Sequence, residues 1–274
     1  MHMPVRLRNV TTALAAIAVI ATAGCGGSNT DSASKSSSTS ASAAAAAKPT
    51  IVLVHGSFSD STDWDAVASR LRGKGYQVVQ PNDPLQGPVQ DAAAVSAAID
   101  TITGPVVLVG HSYGGAVISN IHRPNIKSEV FVAAFAPVQG ESVQALSDPA
   151  RYPGSMIGTA LKIQPTATGA EITMAPDRFG QVFAPDVSAD VAAKLAADQH
   201  PTSAAANAEP SGDPSWAKVP DWYLISTQDL VLPPASQRFQ AERMHAHISE
   251  VKSSHASPVS HPDEVAATIT AAAG

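Results

Sequence analysis

One segment constrains this chain more than any other: residues 106–115, which read VVLVGHSYGG. A run of β-branched and apolar residues leads into a Gly-x-Ser-x-Gly pattern centred on Ser112, and small and apolar residues follow at 116–121. This order predicts a buried strand, a tight turn and a helix. Such a turn lifts the Ser112 hydroxyl above the sheet edge, beside a helix N-terminus that stabilises developing negative charge. In this context the pattern predicts a serine nucleophile.

From about residue 49 to residue 274, strand and helix patterns alternate along the chain. The strands read as nearly continuous apolar runs, which is typical of strands buried on both faces. Strands joined by helices imply right-handed crossovers, so the sequence predicts an α/β fold with a mostly parallel central sheet and helices on both faces. Strands are expected at 50–54, 76–80, 106–109, 129–134, 222–227 and 247–251, and helices at 63–72, 91–102, 116–121, 188–199, 236–244 and 262–272.

The alternation breaks between about residues 139 and 218, where Pro and Gly are frequent. This region predicts a lid inserted over the sheet, with a short hairpin that pairs 161–163 with 171–173. Further along, Ser260 and Asp263 have the spacing of a capping box. That spacing predicts that Ser260 caps the final helix.

The amino terminus predicts export. Two arginines precede the apolar run 10–23, which is shorter than the ~20 residues needed to span a bilayer and suits a secretory signal. The small residues before Cys25 are similar to a bacterial lipoprotein signal, so residues 1–25 are expected to be a signal peptide that ends at a lipidated Cys25. Residues 26–48, rich in Ser and Ala, are expected to form a disordered tether. The domain 49–274 would then be anchored to the outer face of the bacterial cell membrane, or secreted if the signal is an ordinary cleaved one.

Composition excludes several classes of function. The formal net charge of −6 argues against a nucleic-acid partner. Cys25 is the only cysteine, so an intramolecular disulfide is impossible. The sequence has no phosphate-binding loop, dinucleotide fingerprint or cluster at metal-ligand spacing, so we expect neither a cofactor nor a metal. The only membrane contact expected is the lipid anchor.

A serine hydroxyl needs an adjacent base, and the base needs an acid to orient it. Asp229 lies just after the strand 222–227, at the sheet edge that is expected to carry Ser112. It is therefore the predicted acid, with a turn-forming role as the alternative. The aspartates that lie before that strand or inside the last helix are less suitable: Asp213, Asp221 and Asp263.

His255 is the predicted base, because it lies in the loop between the final strand and the final helix. His261 is its rival, but the Ser-His-Pro sequence around it is typical of a helix start. The histidines expected at the surface or in the lid are His200, His245 and His247.

An oxyanion needs two backbone N–H donors. One is expected from Tyr113, which follows the nucleophile. The other is expected from Ser57, in the loop after the first strand, with Phe58 as the alternative. His55 is expected to brace this loop, and His111 to pack beside the turn.

These features together resemble the α/β-hydrolase superfamily over residues 49–274. Within it the chain is similar to the small-lid branch of plant methyl-ester esterases, hydroxynitrile lyases and bacterial hydrolases. The plant lyases have Thr where Gly56 stands and Lys where Ala256 stands, so both departures favour ester hydrolysis. The serine at 112 also disfavours dehalogenases and epoxide hydrolases, which resemble this fold with Asp as the nucleophile. The resemblance is most specific at 54–56 with Trp64, at 110–115, at 131–137, and at 227–229 with 233–234.

The resemblance implies a serine hydrolase that cleaves a small or medium carboxylic ester through a Ser-His-Asp triad and an acyl-enzyme intermediate. Two alternatives stay open: a non-catalytic binding lipoprotein on the same fold, and amidase or perhydrolase chemistry by the same triad. The expected partner is a small-molecule ester. The residues expected to line its pocket, each of which could instead belong to the lid core, are Phe58, Met156, Phe179, Phe183 and Trp216.

Overall fold

A six-stranded parallel sheet forms the centre of the computed structural model, which describes residues 48–274. Its strands are β1 (Thr50–Val54), β2 (Val78–Val79), β3 (Val106–His111), β4 (Ile126–Val132), β8 (Asp221–Ser226) and β9 (His247–Val251). The strand order is β2-β1-β3-β4-β8-β9, and every neighbouring pair is parallel. The α/β fold with a parallel central sheet is therefore confirmed.

Helices cover both faces of this sheet because its apolar strands present side chains alternately to either side. These helices are α1 (Asp65–Gly73), α2 (Pro88–Ile99), α3 (Tyr113–Ile118), α7 (Pro234–Arg243) and α9 (Pro262–Ala273). Along β1, Val52 and Val54 pack towards α2, α3 and α7, whereas Ile51 and Leu53 pack towards α1 and α9. The two apolar layers exclude water from the central strands, and β1 and β3 are almost completely buried.

A segment between β4 and β8 departs from this alternation. A three-stranded antiparallel sheet in it contains β5 (Leu161–Thr166), β6 (Gly169–Met174) and β7 (Thr202–Ser203), so the expected hairpin is confirmed. Its helices are α4 (Val143–Leu146), α5 (Pro176–Val182) and α6 (Ala189–Ala197). The segment packs its apolar side chains on loops at the carboxyl ends of β1, β8 and β9, through Phe58, Val231 and Ala256 respectively. It therefore lies over the sheet edge that carries Ser112.

Two local predictions were wrong. The strand expected at 76–80 shortens to β2, because this edge strand has only two paired positions with β1. Ser260 does not cap the last helix: it ends a short helix that the sequence did not reveal, α8 (Ser257–Ser260), and its hydroxyl bonds to Ala256 O at 3.2 Å. Asp263 forms an ion pair with Arg70 instead of completing a capping box.

The predicted signal peptide, the lipidated Cys25 and nearly all of the predicted tether lie outside the described residues. Within residues 48–274, no helix is both long enough and apolar enough to cross a bilayer.

Candidate active site

Ser112 occupies the turn between β3 and α3, with φ 53° and ψ −123°. The turn can form only because the flanking glycines have no side chain: a Cβ on Gly110 would lie 2.6 Å from Gly114 O, and one on Gly114 would lie 2.4 Å from His55 O. The strained conformation is held by backbone bonds from Ser112 N to Val132 O at 3.2 Å and from Phe135 N to Ser112 O at 3.0 Å. The neighbouring strand thus fixes the direction of the hydroxyl.

The structure brings the predicted nucleophile, base and acid into one hydrogen-bonded chain. The distance from Ser112 Oγ to His255 Nε2 is 2.8 Å, and that from His255 Nδ1 to Asp229 Oδ2 is 2.6 Å. The three side chains come from the ends of β3, β9 and β8, and all are buried. Both contacts are within the reach required for a base that accepts a serine proton.

Four donors surround the Asp229 carboxylate. Oδ1 accepts from Val231 N at 2.7 Å and Leu232 N at 2.9 Å, and Oδ2 accepts from Gln237 Nε2 at 2.9 Å and from His255. Gln237 was missed in the sequence. Its amide is fully used, because Oε1 accepts from Ser226 N at 2.9 Å. The loop and α7 therefore hold the carboxylate in one orientation.

A second unpredicted residue, Asp186, holds the loop of the base. Its carboxylate accepts from Ser254 N at 2.8 Å and from Ser254 Oγ at 2.5 Å. Ser254 Oγ also accepts from Ala256 N at 3.1 Å. These bonds bracket His255 on both sides, and Asp186 belongs to the inserted segment between α5 and α6. Nothing in the local sequence indicates this contact, which joins residues 68 positions apart.

The rival residues lie elsewhere. His261 Nδ1 is 3.6 Å from Asp186 Oδ2, and His200 Nε2 is 3.3 Å from Asp60 Oδ2. His245 and His247 are exposed. The rival aspartates are also engaged or distant: Asp213 pairs with Lys218, Asp263 pairs with Arg70, and Asp221 begins β8 at the opposite sheet edge.

His111 packs beside the turn and supports the base from behind. Its Nε2 donates to His255 O at 2.9 Å, and the two rings lie 4.8 Å apart between centroids. Burial holds the pKa of His111 well below its usual value. The ring is therefore neutral, and it adds no second positive charge beside His255.

The loop after β1 lies against the nucleophile. A Cβ on Gly56 would approach Ser112 Cβ to 2.8 Å, so only glycine permits this packing. The alternative donor, Phe58 N, bonds to Thr202 Oγ1 at 3.3 Å. The Ser57 N–H has no acceptor among residues 48–274. Tyr113 N is at the first position of α3, where helical N–H groups lack a partner within the helix.

A cavity of about 320 Å³ opens beside Ser112 and His255. Its walls are mostly apolar, and its polar side chains are amides and hydroxyls such as Gln144, Ser147 and Asn207. No Lys, Arg, Asp or Glu of the described chain lines it. Ser57 and the predicted Phe58 and Phe183 do.

Three other predicted lining residues lie away from this cavity. Met156 is part of the exposed surface, and Phe179 stacks behind Phe183 with ring centroids 4.7 Å apart. Trp216 belongs to the core under the sheet, where its indole N–H donates to Pro137 O at 3.2 Å. Aromatic or apolar character alone does not distinguish a residue of a pocket wall from one of the core or the surface.

The glycine turn, the hydrogen-bonded chain and the parallel sheet agree with the family comparison. The model of the alpha/beta hydrolase family matches residues 51–268. The chain belongs to the α/β-hydrolase family. No group of three or more His, Cys, Asp or Glu side chains in the described part of the chain is arranged to hold a metal ion.

Relatives with assigned names are hydrolases and esterases. The α/β hydrolase nvfD of Aspergillus novofumigatus is 27% identical over 83% of this chain and 97% of its own length. The carbendazim hydrolyzing esterase of a Nocardioides species is 33% identical over 35% of this chain and 46% of its own length. A crystal structure of a pyrethroid hydrolase from Sphingobium faniae has a TM-score of 0.68 at 22% identity and covers 82% of this chain and 97% of that one. The named relatives of this chain are therefore hydrolases, one of them an esterase.

Proposed function

We propose that this protein is a serine hydrolase that cleaves a small or medium, uncharged carboxylic ester through an acyl-enzyme on Ser112. The observation that carries the proposal is the unbroken hydrogen-bonded chain from Ser112 through His255 to Asp229, which opens on the 320 Å³ cavity.

In the first half-reaction, Ser112 Oγ attacks the ester carbonyl carbon while its proton passes to His255 Nε2. Asp229 keeps the His255 Nδ1 proton in place and stabilises the imidazolium that forms. The tetrahedral oxyanion accepts from Ser57 N–H and Tyr113 N–H, and one such donor is worth about 3–4 kcal/mol of transition-state stabilisation. His255 then gives its proton to the leaving alkoxide, and the alcohol departs.

In the second half-reaction, a water molecule replaces the alcohol. His255 accepts its proton as the water oxygen attacks the acyl carbon, and the same two N–H groups receive the oxyanion. Collapse of this intermediate breaks the bond to Ser112 Oγ, which regains the proton from His255. The carboxylic acid product leaves and the enzyme is restored.

The cavity supports an uncharged substrate. A carboxylate or ammonium group on the substrate would be buried without an opposite charge, because no Lys, Arg, Asp or Glu side chain of residues 48–274 lines the cavity. The volume is at the lower end of the range for small-molecule pockets, about 300–1,000 Å³. The named substrates of the relatives, carbendazim and pyrethroids, accord with such a pocket.

The location of the enzyme is a separate proposal that rests on the sequence. We infer that the chain is exported and attached to the outer face of the cell membrane through a lipid on Cys25. Metabolic labelling with an alkyne fatty acid should mark the wild type and leave Cys25→Ser unlabelled. Equal labelling of both would exclude this anchor.

The enzymatic proposal is tested with p-nitrophenyl esters from acetate to palmitate, comparing the full chain with its Ser112→Ala variant. We expect turnover of the shorter esters by the wild type and a loss of roughly a millionfold in kcat for the variant. Circular dichroism should show the same fold for both. If no ester is hydrolysed and a fluorophosphonate does not label Ser112, the protein is a binding lipoprotein instead.

A further inference from the structure

A cluster of buried polar side chains lies behind the oxyanion donors, on the side away from the substrate cavity. It contains His55, Asp83, Asp91 and Tyr113, and none of the four is more than 6% exposed. None of these side chains takes part in the proton transfers described above. Burying an ionised acid without a counterion costs free energy, so the hydrogen bonds of these side chains decide how the cluster is stabilised.

On one side the cluster holds Tyr113, whose backbone N–H is one oxyanion donor. The Tyr113 hydroxyl donates to Asp91 Oδ2 at 2.6 Å. Asp91 also accepts from Gln86 N at 3.0 Å and from Gly87 N at 3.2 Å. With three donors directed at it, the Asp91 carboxyl group is well satisfied as a hydrogen-bond acceptor.

On the other side the cluster holds the peptide that joins Gly56 to Ser57. Asp83 N donates to His55 Nε2 at 3.0 Å, so the ring proton is on Nδ1, which donates to Gly56 O at 3.0 Å. Burial lowers the pKa of His55, and the ring keeps this neutral tautomer. In a planar trans peptide the C=O and N–H point in opposite directions. Fixing Gly56 O therefore fixes the direction of the Ser57 N–H, the second oxyanion donor.

The two acids connect these halves. Asp83 Oδ1 accepts from Leu85 N at 3.0 Å, whereas Oδ2 is buried and receives no donor within residues 48–274. Asp91 is the acid that neighbours the Asp83 carboxyl group, and burial together with this neighbour raises the pKa of Asp83. Two neighbouring acids in a buried site do not both ionise, so we place one proton on Asp83 Oδ2, from which it can be donated to Asp91.

We propose that the Asp83–Asp91 acid pair positions both donors of the oxyanion hole, through Tyr113 on one side and His55 on the other. The inference rests on the proposed esterase function, because it assigns both N–H groups to that reaction. Asp83 and Asp91 are positioning residues, since neither touches the substrate cavity. Loss of the shared proton would place two negative charges next to each other. Their repulsion would displace the loop that carries Ser57 or the turn that carries Tyr113.

This arrangement makes the oxyanion hole sensitive to alkaline pH. Burial and the neighbouring Asp91 raise the pKa of Asp83 to about 9. The other groups that face the cluster are Tyr113, which donates to Asp91, and the negative Glu209 near Tyr113. Asp60 and His200 act on His55 from the far side. We expect kcat to fall as pH rises through about 9, with little change in KM.

The test compares Asp83→Asn with Asp83→Ala, using a pH-stat to follow hydrolysis of an ethyl ester. The asparagine amide can still donate a hydrogen bond to Asp91 but cannot ionise. Alanine removes the donor. We expect Asp83→Ala to lower kcat about 10- to 100-fold at unchanged KM, because a misplacement on the order of 1 Å costs about 100-fold. Asp83→Asn should keep at least tenfold more activity than Asp83→Ala and lose the alkaline fall.

A matched control is Asp221→Asn, which neutralises a buried acid at the opposite sheet edge and should leave the alkaline fall of kcat in place. Tyr113→Phe, which deletes the donor to Asp91, should lower kcat about tenfold. If Asp83→Asn and Asp83→Ala have the same kcat, or if the alkaline fall persists in Asp83→Asn while circular dichroism shows both folded, the pair has no positioning role.

An infrared difference spectrum separates this inference from the esterase proposal. At pH 7 the wild type minus Asp83→Asn should contain the carbonyl stretch of one protonated carboxyl group. If this band is absent, Asp83 and Asp91 do not share a proton, even if the enzyme is active. The presence of this band in a chain without any Ser112-dependent hydrolysis would refute the esterase proposal and leave the acid pair established as a structural element.

Discussion

The two edges of the central sheet both bury carboxyl groups but treat them differently. At the carboxyl edge, Asp229 accepts from four donors. At the amino edge, Glu129 and Asp221 face each other across β4 and β8. Both oxygens of Glu129 and Oδ1 of Asp221 are buried and receive no hydrogen bond from the described part of the chain.

The difference shows that hydrogen-bond donors, more than depth, decide what a buried acid can do. Burial raises the pKa of Asp221 to about 8 and that of Glu129 well above its usual value. These two acids are neutral in the folded protein at moderately acidic pH. Asp229 is equally buried, yet its donors are arranged for a carboxylate that orients His255. Only the carboxyl edge has the electrostatic features that the proposed reaction needs.

Among these buried acids, Asp229 should have the largest effect on turnover. Asp229→Asn keeps the shape but gives His255 a neighbour that favours the wrong tautomer, so we expect kcat to fall about 10⁴-fold. Ester hydrolysis and circular dichroism at pH 7 check this. Near-normal activity in a folded variant would show that another residue is the acid.

The acids of the amino edge should affect stability instead of turnover. The pKa of Asp221 is about 8 in the folded state, and that of an unfolded Asp is about 3.9. Its stabilising contribution is therefore complete below about pH 4 and is lost as pH rises through about 8. Each pKa unit corresponds to about 1.4 kcal/mol, so the difference of about four between the two pKa values gives a pH-dependent loss on the order of 6 kcal/mol, about 4 kcal/mol of it between pH 5 and pH 8.5. Asp221→Asn should remove this loss.

Urea unfolding at pH 5 and pH 8.5 measures that loss. The wild type should have a lower urea midpoint at pH 8.5 than at pH 5. Asp221→Asn should reduce this difference between the two midpoints, and the ionisation of Glu129 should account for the part that remains. Identical pH dependence in both proteins would mean that Asp221 ionises normally in the folded state.

The smallest effect should come from the contact that ties the inserted segment to the base. Asp186→Ala removes the acceptor of both Ser254 bonds, and we expect kcat to fall about tenfold as His255 becomes less well oriented. Asp186→Asn, which keeps one acceptor oxygen, serves as the matched control with a smaller loss. If both variants equal the wild type in kcat, the base loop is held by its other contacts.

The meeting of Ser112, Asp229 and His255 could be predicted because each follows a strand whose apolar run is visible in the sequence. Parallel strands bring such ends to one edge, so local periodicity is enough to place Ser112, Asp229 and His255 together. Gln237 could not be found this way, because a glutamine on a helix has no local signal that it faces an acid. Asp91 was expected only as the start of a helix, but it lies within α2 and points inwards.

The remaining differences have the same cause. Asp186 meets Ser254 only through the packing of the inserted segment, which no periodic pattern describes. The helix α8 has only four residues, too few to produce a helical pattern in the sequence. Because Ser260 ends α8, it does not cap the last helix, although its spacing to Asp263 predicted that it would. Sequence patterns find elements and their ends, whereas contacts between distant loops require the folded chain.

Trapping the acyl group on Ser112 tests the proposed acyl-enzyme most directly. The full chain is mixed with p-nitrophenyl acetate, quenched in acid within the burst phase, digested and examined by mass spectrometry, with Ser112→Ala alongside. We expect a single acetyl group on Ser112 of the wild type and none on the peptide that carries Ala at this position. Hydrolysis without any acetyl on Ser112, or an equal acetyl signal elsewhere in both proteins, would contradict the proposed acyl-enzyme.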